Sequence, residues 1–194
     1  DYKNAQVPLS QPSATAGGTA NSILFNVPKA RSMGLELETI WQPIDNLQIL
    51  ANYSYLDAEV RKGQAIDGAD SCALAAGARK TRLAGVTDAF CGGPQYFQDL
   101  SGYSLPNSAK HRYTINANYT WIFDAGRLTA SGTYVWRGAQ YGSIFNRSYY
   151  KSPSFDQVDG RLTWQSENNK YTVIGFAKNI FDTKGYANGA TAGR

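Results

Sequence analysis

Arg112-Tyr113-Thr114-Ile115-Asn116-Ala117-Asn118-Tyr119-Thr120-Trp121-Ile122-Phe123 alternates polar and apolar side chains with a period of two. In an extended chain successive side chains point to opposite faces. Tyr113, Ile115, Ala117, Tyr119, Trp121 and Phe123 therefore share one face, and Arg112, Thr114, Asn116, Asn118 and Thr120 share the other, a pattern unbroken until Ile122. After Asp124-Ala125 the alternation resumes, with Leu128, Ala130, Gly132, Tyr134 and Trp136 opposing Thr129, Ser131, Thr133 and Arg137. Upstream, Leu35, Leu37 and Trp41 oppose Glu36 and Glu38. Almost no helical period occurs, so the chain is all-β.

The same reading places strands at 30–42, 47–60, 108–123, 126–141, 154–166 and 170–182, with Asp1 to Val7 as the tail of another. Strands of globular domains usually run about 5 to 6 residues, whereas one crossing a bilayer at a tilt needs about 9 to 11 and often continues past it. These lengths favour an antiparallel transmembrane β-barrel. The connections alternate in length as well: Pro43 to Asn46, Asp124 to Ala125 and Glu167 to Asn169 are tight, while 8–29, 61–107, 142–153 and 183–194 are long. Short turns on one side and long loops on the other are what an outer-membrane barrel shows, and a soluble sandwich has no physical reason to produce them.

Trp41, Trp121 and Trp164 each sit just before a tight turn. At that height an indole buries its ring and keeps its N–H wet, so the three are expected to form an aromatic girdle at one membrane interface. Their unequal spacing rules out a solenoid.

Composition narrows the classes further. The 194 residues are 42% hydrophobic and 13% aromatic, which argues against intrinsic disorder. No stretch approaches the roughly 18 consecutive apolar residues of a spanning helix, and Asp1 to Ser10 lacks the basic start and apolar run of a signal peptide. The net charge is +4, but the basic residues are scattered singly, so no nucleic-acid partner is expected. In the last strand Thr172, Ile174 and Phe176 compete with Val173, Gly175 and Ala177 for the apolar face, and the pattern assigns neither set.

Several segments, taken in order, resemble the TonB-dependent receptors of the Gram-negative outer membrane, in the C-terminal part of their β-barrel. Asp1-Tyr2-Lys3-Asn4-Ala5-Gln6-Val7 looks like a strand end of that family, and Ala30-Arg31-Ser32-Met33-Gly34-Leu35-Glu36-Leu37-Glu38 is similar to its recurrent A-x-x-x-G-x-E-x-E strand. Leu105-Pro106-Asn107-Ser108-Ala109-Lys110-His111-Arg112 resembles its segment descending from the cell surface, and Ala177-Lys178-Asn179-Ile180-Phe181-Asp182 its near-terminal N-L-F-D motif. The resemblance implies about seven strands of a larger barrel of about 22 strands. It also implies that residues 1–194 are the C-terminal portion of such a barrel, without the plug domain and last strand, and that residues 61–107 form a long extracellular loop.

The charges follow from this frame. Glu36, Glu38, Arg112, Arg137, Asp159 and Arg161 cannot face hydrocarbon without a cost of kcal/mol size, so they are expected to line the lumen as structural charges, with Lys178 a further candidate. Cys72 and Cys91, both in loop 61–107, are expected to form a disulfide, because an even count exposed to an oxidising periplasm favours one. A zinc site lacks ligands: there is no Cys-x-x-Cys, and the single histidine, His111, lies outside this loop. His111 has no accompanying nucleophile motif, and Gly17-Gly18 and Gly92-Gly93 lack phosphate-loop context, so neither catalysis nor a cofactor is expected.

Ligand contacts are expected in the long loops from Tyr96, Phe97, Tyr103, Tyr141, Phe145, Tyr149 and Tyr150, against the competing reading that these rings pack the loops together. Lys62, Arg79, Lys80 and Arg82 are candidates for lipopolysaccharide phosphates or an anionic chelate. The function so implied is an outer-membrane receptor for a scarce nutrient, of the siderophore-iron, cobalamin or carbohydrate class. Its partners would be outer-membrane lipid and lipopolysaccharide, the small-molecule ligand, and the TonB-ExbB-ExbD system acting through the plug. Two other classes remain open: a small self-contained or porin-like barrel, and a soluble carbohydrate-binding β-sandwich.

Overall fold

Three turn residues set the hairpins. Asn46, Gly126 and Asn169 have positive φ values of 67°, 143° and 55°. Asparagine tolerates the left-handed region better than most residues. At Gly126 glycine is required twice over, since a Cβ there would also run into the Gln165 carbonyl oxygen.

The computed structural model describes residues 1–11, 21–65 and 98–185. The strands are β1 (Tyr2–Gln11), β2 (Asn21–Ile44), β3 (Leu47–Lys62), β4 (Gln64–Ala65), β5 (Gln98–Asp99), β6 (His111–Phe123), β7 (Gly126–Arg137), β8 (Gln140–Tyr141), β9 (Lys151–Ser152), β10 (Phe155–Ser166) and β11 (Thr172–Ala177). A 3-10 turn spans Ser148–Tyr150. Seven strands form an antiparallel sheet in the order β1-β2-β3-β6-β7-β10-β11, and β4-β5 and β8-β9 form two small ribbons. Neighbours in sequence are neighbours in the sheet, the arrangement that short turns enforce.

The structure moves several boundaries. The expected loop 8–29 is mostly paired: β1 runs to Gln11 and β2 starts at Asn21, with Tyr2 opposite Ala30 and Val7 opposite Phe25. Pro8 and Pro28 interrupt the polar alternation there, which hid the pairing from a periodicity reading. The expected strand 126–141 breaks after Arg137, where Gly138 N–H turns to the His111 carbonyl at 2.9 Å. Loop 61–107 is not irregular at its described ends, because Gln64 pairs with Asp99 and Ala65 with Gln98. The strand expected over 170–182 ends at Ala177, and the N-I-F-D segment is a capped turn instead. There the Asn179 side chain accepts from Thr183 N at 2.9 Å and donates to Thr183 O at 3.1 Å, with Asn179 and Asp182 at φ 49° and 51°.

The chain divides into two compact units, residues 1–32, 57–106 and 143–148 in one and residues 33–56, 107–142 and 149–194 in the other. The first has a small apolar core in which Val27, Val60, Leu100 and Ile144 are fully buried, joined by Val7, Ala30, Ala65 and Phe145. Full burial of such a side chain is worth about 1.5–3 kcal/mol, so this cluster fixes the descending segment after β5 and the 143–148 loop. Among the described residues the second unit is a wall of strands with no comparable buried cluster, and its chemistry lies on its two faces.

Candidate functional site

Strand register turns the alternation of single strands into two continuous surfaces of the second unit. On one face Tyr53, Tyr113, Trp136 and Asp156 lie in one row and Leu47 stands opposite Tyr119. Between them come Ile49, Ala51, Ile115, Ala117, Ala130, Gly132, Tyr134, Val158, Gly160 and Leu162, with no charged residue. Ile115 is 43% and Leu162 54% accessible on this face, Val173 of β11 is 62% accessible, and Leu35 and Leu37 of β2 stand out similarly. An exposed apolar surface of this extent marks a membrane or a partner.

The other face is polar and internally bonded. Asn116 Nδ2 donates to Thr133 Oγ1 at 2.7 Å, Asn118 donates to Asn116, and the Thr120 and Thr129 hydroxyls share a hydrogen bond of 2.9 Å. Asp159 accepts from Gln157 Nε2 at 2.7 Å and from the Asn179 backbone N–H at 2.8 Å, so it anchors the N-I-F-D turn to β10. On the apolar side of the same strand, Gly160 leaves the space that Ile180 needs: a Cβ at Gly160 would stand 3.2 Å from Ile180 Cδ1. Arg161 Nε donates to Thr163 Oγ1 at 3.2 Å. A groove of about 630 Å³ runs over this face, with Asn116, Asn118, Asp159, Arg161 and Lys178 on its polar sides and Ile174 and Phe176 closing its apolar end.

The register also assigns β11. Phe176 stands opposite Arg161 and Ile174 opposite Thr163, so Thr172, Ile174 and Phe176 lie on the polar face. Val173 is opposite Trp164 and joins the apolar face with Gly175 and Ala177.

Arg112, Arg137, Asp159 and Arg161 thus stand on one face, with Arg112 directly opposite Arg137. Glu36 and Glu38 occupy alternate positions of β2 and are exposed. Among the described residues these six groups form no ion pair with one another. Arg112, Arg137, Asp159 and Arg161 are held by amides, hydroxyls and backbone groups, not by one another. Trp121 and Trp164 flank Leu128 in a single row, at the same height, and Trp41 in β2 is 58% accessible.

A second aromatic band was not foreseen. Tyr113 stacks on Trp136 at a centroid distance of 5.1 Å and an interplanar angle of 15°, and Tyr134 lies 5.8 Å from Tyr113. His111 joins this end, its Nδ1 hydrogen-bonded to the Tyr53 hydroxyl at 2.9 Å and its ring 5.2 Å from that of Tyr55. The sequence held the residues but not the register that aligns them. Trp136 and Leu128 are eight residues apart on β7, roughly 27 Å along the strand at 3.3–3.4 Å per residue, or about 19–22 Å along the normal at a tilt of 35–45°. That approaches the apolar height of an outer-membrane wall, about 25 Å between its aromatic girdles.

The loop candidates separate. Phe145, raised as a ligand contact, is only 5% accessible and packs in the apolar cluster with Ile144 and Leu100. Its ring is committed to packing, which corrects that expectation. Tyr103 packs against the same cluster, half-buried. Tyr141 lies in β8, and the Gly142 N–H donates to the Tyr150 carbonyl at 2.8 Å, so both tyrosines flank one ribbon whose 3-10 turn includes Tyr149. Tyr96, Phe97, Cys72, Cys91, Arg79, Lys80 and Arg82 lie outside the described residues. Among the described residues no group of three or more His, Cys, Asp or Glu could hold a metal ion.

The family model described as "TonB dependent receptor-like, beta-barrel" matches residues 1–180. The chain belongs to this family. Solved structures that share its fold include the ferric yersiniabactin uptake receptor FyuA of Yersinia pestis, at 17% identity and a TM-score of 0.57 over 82% of this chain and 20% of that one. The siderophore receptor PiuA of Acinetobacter baumannii matches at 22% identity and a TM-score of 0.54, over 92% of this chain and 20% of that one. The ferric preacinetobactin receptor BauA of Acinetobacter baumannii matches at 16% identity and a TM-score of 0.53, over 91% and 21%. The chain therefore spans about a fifth of the length of these receptors. No curated protein sequence matches it. In a TonB-dependent receptor-like barrel the apolar face has a plain physical counterpart, the lipid of the outer membrane.

Proposed function

We propose that the chain is part of the barrel wall of an outer-membrane receptor that captures a scarce nutrient and admits it by TonB-driven transport. The observation that carries this reading is the division of one family-matching sheet into an apolar face, uncharged between its two aromatic rows, and a hydrogen-bonded polar face. A soluble sandwich would have to cover the first face and would not need the second.

On this reading the apolar face meets lipid, and Trp41, Trp121 and Trp164 belong to the girdle on the side of the tight turns. The polar face, with Glu36, Glu38, Arg112, Arg137, Asp159 and Arg161, faces the lumen. Residues 61–107 face the cell exterior, with a Cys72–Cys91 disulfide closing their loop. Tyr141 and Tyr150, with Tyr96, Phe97, Tyr103 and Tyr149, are the candidates for ligand contact there. The named neighbours FyuA, PiuA and BauA are siderophore or ferric siderophore receptors, so a ferric chelate is the first ligand class to test. Energy would reach the wall through a plug domain engaged by TonB, with no bond made or broken in the ligand.

The test is uptake by cells expressing the full receptor that carries this chain, compared with cells lacking it, for labelled ferric chelates, cobalamin and oligosaccharides. Receptor-dependent uptake that disappears in a strain without TonB is the expected result. Uptake of every probe unchanged by deleting the receptor would overturn the reading.

A further inference from the structure

At the end of the polar face nearest the long loops, Arg112 of β6 and Arg137 of β7 are direct cross-strand partners. Directly opposite residues of an antiparallel pair have Cβ atoms about 4.5–5.5 Å apart, so like charges in that relation repel. Their row offers no compensation, since Ser54 is opposite Arg112 and Phe155 is opposite Arg137 on the outer sides. The next row inward is Asn52, Thr114, Val135 and Gln157, all uncharged. Asp156 stands on the other face in the row of Trp136, and Asp159 is already engaged by Gln157 and the Asn179 N–H.

Neither arginine has a carboxylate within ion-pair distance among the described residues. Arg112 gives one N–H to the Asn107 carbonyl at 3.1 Å and Arg137 gives one to the Gly138 carbonyl at 3.4 Å. A guanidinium carries five N–H donors, so most donors of both remain available. The two carbonyl contacts restrain the guanidinium groups. Asn107 is itself fixed, its N–H donating to the Tyr141 carbonyl at 2.7 Å and its side chain accepting from Gln140 Nε2 at 3.4 Å.

We propose that Arg112 and Arg137 form an anion clamp that takes a carboxylate-bearing small molecule by paired, bidentate hydrogen bonds. A planar carboxylate matches the guanidinium fork, and its charge removes the repulsion that the bare pair carries. Assigning the clamp to the transported ligand rests on the receptor reading above; the anion site does not, because it can be measured on purified protein without transport.

The experiment uses the full receptor carrying this chain, purified in detergent, with citrate as the probe and chloride at equal ionic strength as the control. Thermal unfolding is followed at low salt. The expected result is a rise in Tm with citrate beyond that with chloride, absent in the Arg112→Gln/Arg137→Gln variant. Without citrate, that variant should unfold at or above the wild-type temperature, because a repulsion has been removed; two merely structural arginines would give a lower one.

The Arg112→Lys/Arg137→Lys variant keeps the charge and loses the fork, so it should fold and bind citrate about tenfold more weakly. No citrate-specific shift in the wild type, a shift that persists in the glutamine variant, or lysine variants that bind as tightly as wild type would each overturn the proposal. Loss of ligand uptake in the variants with citrate binding intact would count against the receptor reading and not against the clamp.

Discussion

Asn146 closes on the backbone of Ser104 with two reciprocal hydrogen bonds, accepting from Ser104 N at 2.8 Å and donating to Ser104 O at 2.9 Å. A side-chain amide here copies what a paired strand residue would do, across 42 residues of sequence, and ties the 143–148 loop to the segment descending toward β6. It keeps Ile144 and Phe145 seated in the buried cluster of their unit.

Asn146→Ala removes both bonds and strands two half-buried backbone groups, at a cost of about 1–3 kcal/mol for each group left unsatisfied. The local consequence is faster amide exchange at Ser104, Ile144 and Phe145, with exchange in β6 and β7 unchanged. Uniform acceleration across the sheet would show that the loop is not a separate cooperative unit.

Ala117 and Asn118 are adjacent on β6 and stand on opposite faces, opposite Gly132 and Ser131 of β7. On the apolar face, midway between the two aromatic rows, Ala117→Arg should cost about 2–4 kcal/mol if that face meets lipid, and lower the fraction assembled in the outer membrane. Asn118→Arg, facing the polar groove, should assemble nearly as wild type. Equal effects from the two substitutions would refute the assignment of faces.

Gly126 and Gly132 make a second contrast, within one strand. An added methyl at Gly126 meets the Gln165 carbonyl and the strained φ of 143°, while at Gly132 nothing lies within 4 Å of the Cβ position. Gly126→Ala should therefore destabilise the β7–β10 pairing by about 1–3 kcal/mol, the range for a residue held in a sparsely populated backbone region. Gly132→Ala should change the midpoint of denaturation little.

Asp99 gives a pH signature outside the seven-stranded sheet. Its carboxylate accepts from the Ser101 hydroxyl at 2.7 Å and the Ser101 backbone N–H at 3.0 Å, and these bonds hold its pKa below the usual aspartate value. A depressed folded pKa means that the stabilisation is present above the unfolded value and is lost as pH falls through the folded one. Ser101 amide protection should thus fall as the solution is acidified below about pH 4, and Asp99→Asn should abolish that dependence. A wild-type profile flat through this range would show that the turn is held by other contacts.

Cys72 and Cys91 predict a single cross-link. Peptide mapping without reduction should recover them joined, and reduction should loosen a loop whose closure contributes about 3 kcal/mol on the chain-entropy account. Recovery of both as free thiols from protein assembled in the outer membrane would remove the disulfide from the description.

The sequence by itself determined which residues share a face within each strand and where the tight turns fall. Those features are local: a period of two follows from the extended backbone, and the turns from Asn46, Asp124-Ala125-Gly126 and Asn169. The resemblance of its motifs to one receptor family was legible for the same reason, because motif residues such as Asn179 act within a few positions of themselves.

Only the tertiary structure decided what depends on register. That Trp121 and Trp164 flank Leu128, that Tyr113 stacks on Trp136, and that Arg112 opposes Arg137 are relations between strands. A slip of one residue would have sent each to the other face. The facing of β11 was open for the same reason: both of its faces carry apolar residues, and only the pairing of Phe176 with Arg161 assigns them. Phe145 looked like an available ring because burial is set by Leu100, Val27 and Val60, which are far from it in sequence and against which its cluster packs.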